Sequence, residues 1–291
     1  MINWPNSLID SLARRTCVIY LGSGVSHNSV NKDGKKPPTW KTFLNIGCEE
    51  LKEQHDKEIL IKDKIKANDY LMACELLRKS IGKDRFNKLL KKEFQTPRYV
   101  EADIHKYIFE LDSKIVVTPN FDKIYDIYAQ TMTHGEMVIK SYTDKGIIDC
   151  IRNSERFVLK IHGSIDNPDS LIFSQADYAQ ARNNYFNFYQ ILNALFLTQT
   201  FLFLGAGLND PDIKLLLENY AFQYPSSRKH IFVIPNDQMS EDERKIYSET
   251  LGLEFLLYNS ENNHIELTDS IKDLDEKVNS QRDAFAEVQN W

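Results

Sequence analysis

The chain has 291 residues, 42% of them hydrophobic and 27% charged, with a formal net charge of −6, which is ordinary for a soluble globular protein with one large α/β domain or two small ones. Its longest apolar stretches, 201–204 and 231–234, are far too short for a membrane span, so no membrane contact is expected. The opening Met1-Ile2-Asn3-Trp4-Pro5 lacks the basic and apolar regions of a secretory signal, which makes the cytoplasm the expected location.

Taken in chain order, strands are expected at 17–21, 115–118, 157–161, 200–204, 230–234 and 254–258. All but the last are short, nearly continuous apolar runs, the pattern of strands buried on both faces of a parallel sheet. Helical spacing predicts helices over 41–55, 69–79, 84–94 and 123–132, and an aromatic-rich helical stretch over 175–199. Within that stretch Phe188, Leu192, Leu195 and Phe196 form a stripe best read as core packing. Strand alternating with helix implies an α/β, Rossmann-like, doubly wound and mostly parallel sheet, with ligands at the carboxyl ends of its strands. The excursion 40–111, together with 175–199, reads as an inserted helical module. The sheet core takes about 12–30, 112–174 and 200–260, and the whole of 1–291 is expected to be one domain. The stretch after Glu241 is expected to continue the last strand and helix and then fray.

Charge is unevenly spread. Residues 52–92 carry twelve Lys or Arg against seven Asp or Glu. A solvated helix face laced with ion pairs is the simplest reading of that segment, and contact with nucleic acid or an acidic partner is the alternative. The acidic balance elsewhere argues against general binding of nucleic acid. Cys17, Cys48, Cys74 and Cys150 form no Cys-x-x-Cys pair, so neither a disulfide framework nor a zinc site is expected; no metal is assigned.

Four short motifs each follow a strand-like run. Gly22-Ser23-Gly24-Val25-Ser26 follows 17–21, and its glycines permit a tight turn that brings backbone N–H groups close to a phosphate. It is neither a complete Gly-x-Gly-x-x-Gly nor a P-loop. Gly205-Ala206-Gly207 repeats the device after 200–204, and Asn209-Asp210-Pro211-Asp212 then reads as a helix start, with Asp210 and Asp212 as capping groups. In Thr118-Pro119-Asn120-Phe121-Asp122, Asp122 has a ready role as a helix cap. Asn120 sits where a strand end meets the crevice, and its carboxamide can both donate and accept. His162, with Gly163 leaving room beside it, follows 157–161, and an imidazole there suits taking a proton from a ribose hydroxyl or water.

In this order the motifs resemble the sirtuin superfamily, and specifically the sirtuin-like domains of bacterial anti-phage defence proteins, over roughly residues 15 to 235. Sirtuins carry Gly-Ala-Gly-x-Ser, Thr-x-Asn-x-Asp, His-Gly and a second small-residue glycine turn. Deacylating sirtuins add a Gly-Ile-Pro-Asp-Phe-Arg loop and a zinc ribbon; here the loop reads Lys36-Pro37-Pro38-Thr39-Trp40 and the ribbon's cysteine pairs are missing. Trp40 stands as a candidate substitute for the lost loop. The resemblance implies cleavage of NAD rather than deacetylation of lysine. It casts Asn120 and His162 as catalytic groups, with Gly22, Ser23, Gly24, Ser26, Thr118, Asp122, Gly163, Gly205 and Gly207 binding the dinucleotide.

That chemistry suits the inventory. The leaving nicotinamide is already cationic in NAD and departs neutral, so no acid is needed to protonate it and no glycosidase-like carboxylate pair is required. The pocket must hold the phosphates and ribose and admit one nucleophile. Asn120 is expected to position water or ribose hydroxyls, and His162 to act as base or hydroxyl partner. A free NAD hydrolase would kill its own cell, so restraint is expected until a separate subunit, a nucleotide signal or self-assembly triggers it. The alternatives are a non-hydrolysing NAD or ADP-ribose sensor, and an NAD-dependent deacylase or ADP-ribosyltransferase.

Overall fold

The computed structural model describes residues 1–51 and 54–288. It opens with α1 (Asn6–Ala13), β1 (Cys17–Leu21) and the single turn α2 (Ser23–Ser26). Next come α3 (Trp40–Glu49), α4 (His55–Lys66), α5 (Tyr70–Ile81), α6 (Lys83–Phe94) and α7 (Asp103–Glu110). Strands and helices then alternate through β2 (Ile115–Thr118), α8 (Ile124–Met132), β3 (Val138–Ser141), α9 (Ile147–Arg152) and β4 (Phe157–Lys160). After α10 (Gln175–Asn184) and α11 (Phe186–Thr198) the chain finishes with β5 (Thr200–Leu204), α12 (Pro211–Gln223), β6 (His230–Pro235), α13 (Glu241–Thr250), β7 (Leu253–Tyr258) and α14 (Glu261–Glu287).

The strands form one parallel sheet in the order β3-β4-β2-β1-β5-β6-β7. From β1 the chain builds outward to β2, β4 and β3, then returns to add β5, β6 and β7 on the other side. The winding therefore reverses between β1 and β5, and the crevice at their carboxyl ends is where such sheets bind ligands. This is the expected Rossmann-like architecture. Burial explains why five strands were so plain in the sequence. Along β1, Ile19 and Leu21 enter the core on one face while Val18 and Tyr20 enter the core on the other, so every position is apolar.

Three elements depart from expectation for physical reasons. β3 was not anticipated because it is an edge strand whose four residues are all only half-buried, so it shows no continuous apolar run. The expected helix 41–55 stops at Glu49, while residues 52 and 53 lie outside the described part. A separate helix, α4, begins at His55, and its apolar stripe is too thin to read because it buries only Ile61 and Ile65. The stretch 175–199 breaks at Tyr185 into α10 and α11, with Phe188, Leu192, Leu195 and Phe196 all buried as anticipated.

The acidic carboxyl-terminal stretch does not fray over the described residues. After three left-handed residues, Asn262 to His264, α14 buries Leu267, Ile271, Leu274, Val278 and Phe285 in the core that also takes Leu8 and Leu12 of α1 and Ile104 and Ile108 of α7. So α7, though it follows the module helices in sequence, packs with the sheet. The helices α3 to α6 enclose a core of their own. Phe173, from the loop after β4, plugs into that core against Trp40, Phe43, Phe86 and Phe121 at ring separations of 4.9, 5.5, 5.8 and 5.2 Å. Arg78 of α5 adds a link to α10, donating to Asp177 at 2.9 Å and Ser174 at 2.7 Å. The module is thus held over the carboxyl ends of the strands.

The basic segment is largely occupied with its own surroundings. Lys62 pairs with Glu58, Lys64 with Asp69, Lys66 with Asp63, Lys79 with Glu75 and Lys83 with Asp169. That is the solvated, ion-paired helix face which its composition favoured. All four cysteines are buried free thiols.

Candidate active site

A cleft of about 640 Å³ lies between the strand ends and the helical module. Its first wall starts where β1 ends. Gly22 leads into α2, and its N–H donates to the Leu204 carbonyl at the end of β5 (2.9 Å). Gly24 N–H donates to Gly205 O, also 2.9 Å. The two glycine turns press on each other: a Cβ on Gly22 would stand 2.3 Å from Gly205 O, and one on Gly205, whose φ is +59°, would stand 2.5 Å from Val25 N.

This clasp divides the expected dinucleotide-binding residues. Gly22, Ser23, Ser26, Asp122 and Gly207 line the cleft, whereas Gly24, Gly205, Thr118 and Gly163 do not. Gly24 and Gly205 spend themselves on backbone contact. Thr118 is buried, its Oγ1 donating to Leu21 O at 2.7 Å and accepting from Asn120 N at 3.0 Å. Gly163 takes a φ of +83° with Ser170 O only 2.7 Å from where a Cβ would lie. These four shape the wall from behind. Of the residues that line the cleft, Ser23, Ala206 and Gly207 have backbone N–H groups that make no hydrogen bond among the described residues.

Asn120 sits just past β2 and lines the cleft. Its Nδ2 donates to Ser26 Oγ (3.1 Å), Ser26 Oγ donates to Asp122 Oδ2 (2.8 Å), and Asp122 Oδ1 accepts from Ile124 N (3.0 Å). A carboxylate only accepts, so Ser26 must spend its proton on Asp122 and present a lone pair to Asn120. The amide group of Asn120 is therefore the part turned toward Ser26, which leaves Oδ1 as an acceptor with no partner among the described residues. Asp122 lies one residue before the N-cap position, Lys123, that the expected cap would occupy, yet it still takes the first N–H of α8 and anchors this relay.

Behind the relay lies a residue the sequence reading passed over. Lys160, the last residue of β4, is 1% exposed, and its Nζ donates to Asp122 O at 2.6 Å and to Asp126 at 2.7 Å. Burial pushes the Asp126 carboxyl above its ordinary value even with the ammonium beside it. The signal was available: a lysine inside a run expected to be buried on both faces needs a charged partner.

His162 lies two residues past the end of β4 and lines the same cleft as Asn120. Its Nε2 lies 3.1 Å from Asp210 Oδ2, and its ring meets Tyr178 edge-on at 5.1 Å. Asp210 does cap α12, its Oδ1 accepting from Asp212 N at 3.0 Å and Ile213 N at 3.1 Å. The cap uses one oxygen and the imidazole takes the other, a second role that the capping signal concealed. Burial works to raise Asp210, yet the imidazole and the helix N–H donors outweigh it and hold the carboxyl below its ordinary value. Burial first, and Asp210 second, push the Tyr178 phenol well above its usual range, so it remains a neutral donor.

The facing wall comes from the module. Pro37, Pro38 and Trp40 precede or open α3, while Asn68, Asp69 and Tyr70 form the turn into α5. His27 Nδ1 meets Pro37 O at 3.0 Å, tying this strap to α2. Trp40 and Tyr70 meet edge-on at 6.1 Å, an aromatic surface opposite the strand ends.

A family model described as a SIR2-like domain matches residues 114–256. Over 278 residues the chain is 26% identical to defense-associated sirtuin 2 of Bacillus subtilis, which covers 92% of this chain and 26% of that protein. It is 22% identical over 236 residues to NAD(+) hydrolase ThsA of Enterococcus faecium, covering 80% of this chain and 46% of the relative. With the protein of the same name from Acinetobacter baumannii (strain 532279) the identity is 23% over 229 residues, covering 78% and 44%. The chain spans between about a quarter and just under half of these relatives' lengths. The matched stretch begins after β1, yet β1 hydrogen-bonds between β2 and β5 in the middle of the sheet, so the first glycine turn joins the matched region through space. In parallel sheet, motif order and the match over 114–256, this chain is similar to SIR2-like domains.

Proposed function

We propose that this chain, acting as one SIR2-like unit, hydrolyses NAD at the nicotinamide–ribose bond and releases nicotinamide and ADP-ribose. The observation that carries the reading is that Asn120 and His162, far apart in sequence, line one cleft and each is held from behind by a protein partner. The Oδ1 of Asn120 suits a hydrogen bond from a ribose hydroxyl or from the attacking water. Ser23, Ala206 and Gly207 offer N–H groups for phosphate, and a Cβ on Gly207 would meet nothing within 4 Å, leaving room for a ligand against the backbone. The names of the relatives agree in kind with NAD cleavage in defence.

As the reacting bond breaks, its electron pair neutralises the pyridinium nitrogen of nicotinamide, and positive charge passes to the ribose. The wall facing that charge carries acceptors, in Asn120 Oδ1 and the imidazole. Depletion of NAD in infected cells is the biological role we infer, with activity released by a separate protein subunit or by self-assembly. Incubating the purified chain with NAD, alone and with the products of neighbouring genes, and chromatographing the products tests this. Asn120→Ala and His162→Ala are each expected to cut nicotinamide release by about a thousandfold while the melting temperature stays close to wild type. Release at the wild-type rate by folded variants would sink the assignment, and NAD binding with no product over hours would favour a sensor.

A further inference from the structure

We propose that Asp210 is a positioning residue that fixes the tautomer of His162, placing the proton on Nε2 and leaving Nδ1 as the base that faces the substrate. The argument is one of donors and acceptors. Asp210 Oδ2 is 3.1 Å from His162 Nε2, and Oδ2 also receives the Tyr178 hydroxyl at 3.4 Å. A carboxylate offers no proton, so the nitrogen against it must carry one. A neutral imidazole has a single N–H, so Nδ1 keeps its lone pair. Nδ1 has no hydrogen-bond partner among the described residues and is not among the buried orphaned atoms, while its residue lines the cleft.

In the proposed reaction, a water then gives its proton to Nδ1 as its oxygen bonds to the anomeric carbon. The electron pair of the breaking C–N bond leaves with nicotinamide, and the imidazolium so formed is stabilised by the Asp210 carboxylate. This kinetic part rests on the reading of the cleft as an NAD hydrolase; the tautomer itself does not.

The double duty of Asp210 supplies an unusual test. Oδ1 accepts both amide protons of the α12 cap, so in Asp210→Asn the carbonyl oxygen must stay on the cap and the amide group must turn to His162. A donor there demands a lone pair on Nε2 and drives the proton to Nδ1, removing the base. Asp210→Ser also keeps the cap, since serine caps well, but its short side chain leaves the imidazole without a partner and free to hold either tautomer. The nearly isosteric variant should therefore be the worse enzyme.

The experiment uses the full chain labelled with ¹⁵N-histidine, with His162 assigned by loss of its signals in His162→Asn. Wild type is expected to show the Nε2–H tautomer and Asp210→Asn the Nδ1–H tautomer, with both Asp210 variants melting close together. NAD turnover should fall by about 10³- to 10⁴-fold in Asp210→Asn, mainly in kcat, and by about 10- to 100-fold in Asp210→Ser. A wild-type Nδ1–H tautomer, an unchanged tautomer in Asp210→Asn, or a serine variant as impaired as the asparagine one would overturn the proposal. If the wild-type chain cleaved no NAD under any condition, the hydrolase reading would fail while the spectra still decided the tautomer.

Discussion

The two walls of the cleft are built on different principles. The strand-end wall is made of backbone held by backbone: Gly22 and Gly24 lean on Gly205, and Asn120 is fixed through Ser26, Asp122 and finally the buried Lys160. The module wall is made of side chains, with Trp40 and Tyr70 resting on the Phe173 cluster and a strap tied to α2 by an imidazole–carbonyl contact. The first wall keeps polar atoms in fixed directions, which reaction chemistry requires. The second supplies area and shape, which adapt more readily when a contact is lost.

If that contrast is right, damage to the first wall should be costly and should reach chemistry from a distance. The largest effect is expected for Lys160→Met, which leaves the Asp126 carboxylate buried without its ammonium. Removing one partner of such a pair costs about 3–5 kcal/mol, read from urea unfolding midpoints. Turnover should fall as well, because Asp122 loses its anchor. A variant as stable as wild type would show that the pair matters little to the wall.

Acid should next attack the framework that carries this wall. His105, in the small void it shares with Lys160 and Asp126, and His230 in β6 are pushed by burial down to about 4. Each accepts a backbone N–H at Nδ1, from Ala102 and Phe201 respectively, and so is held neutral. Against an ordinary value of 6.5, the unfolded chain binds more protons than the folded one below that pH. Stability from these groups is complete above pH 6.5 and drains as pH falls toward 4, amounting to about 2 kcal/mol each by pH 5. Unfolding midpoints at pH 7.5, 6 and 5 check this, and a flat profile would contradict it.

The smallest effect belongs to the module wall. Trp40→Ala should raise KM for NAD by about tenfold, or about 1.4 kcal/mol, with kcat changed less than threefold. A collapse of kcat instead would erase the distinction between the walls.

The same contrast governs what was legible beforehand. Strands buried on both faces announce themselves as apolar runs, and the candidate groups placed just after them, Asn120 and His162, inherit that visibility. β3 was hidden because an edge strand buries little. Contacts between distant residues were hidden for another reason: nothing near Asp210 in sequence points to His162, and the capping role accounted for the carboxylate fully. The glycines were recognised as necessary turns, but a turn's sequence does not say whether a ligand or another turn lies against it. For Gly24 and Gly205 the neighbour is the other turn.

That mutual contact also sets a timetable. The loop after β1 takes its shape from the backbone of residues 204 and 205, so no partial chain leaving the ribosome can complete it until residue 205 has been made. For an enzyme of the proposed kind, products that end before residue 205 would lack this part of the cleft wall.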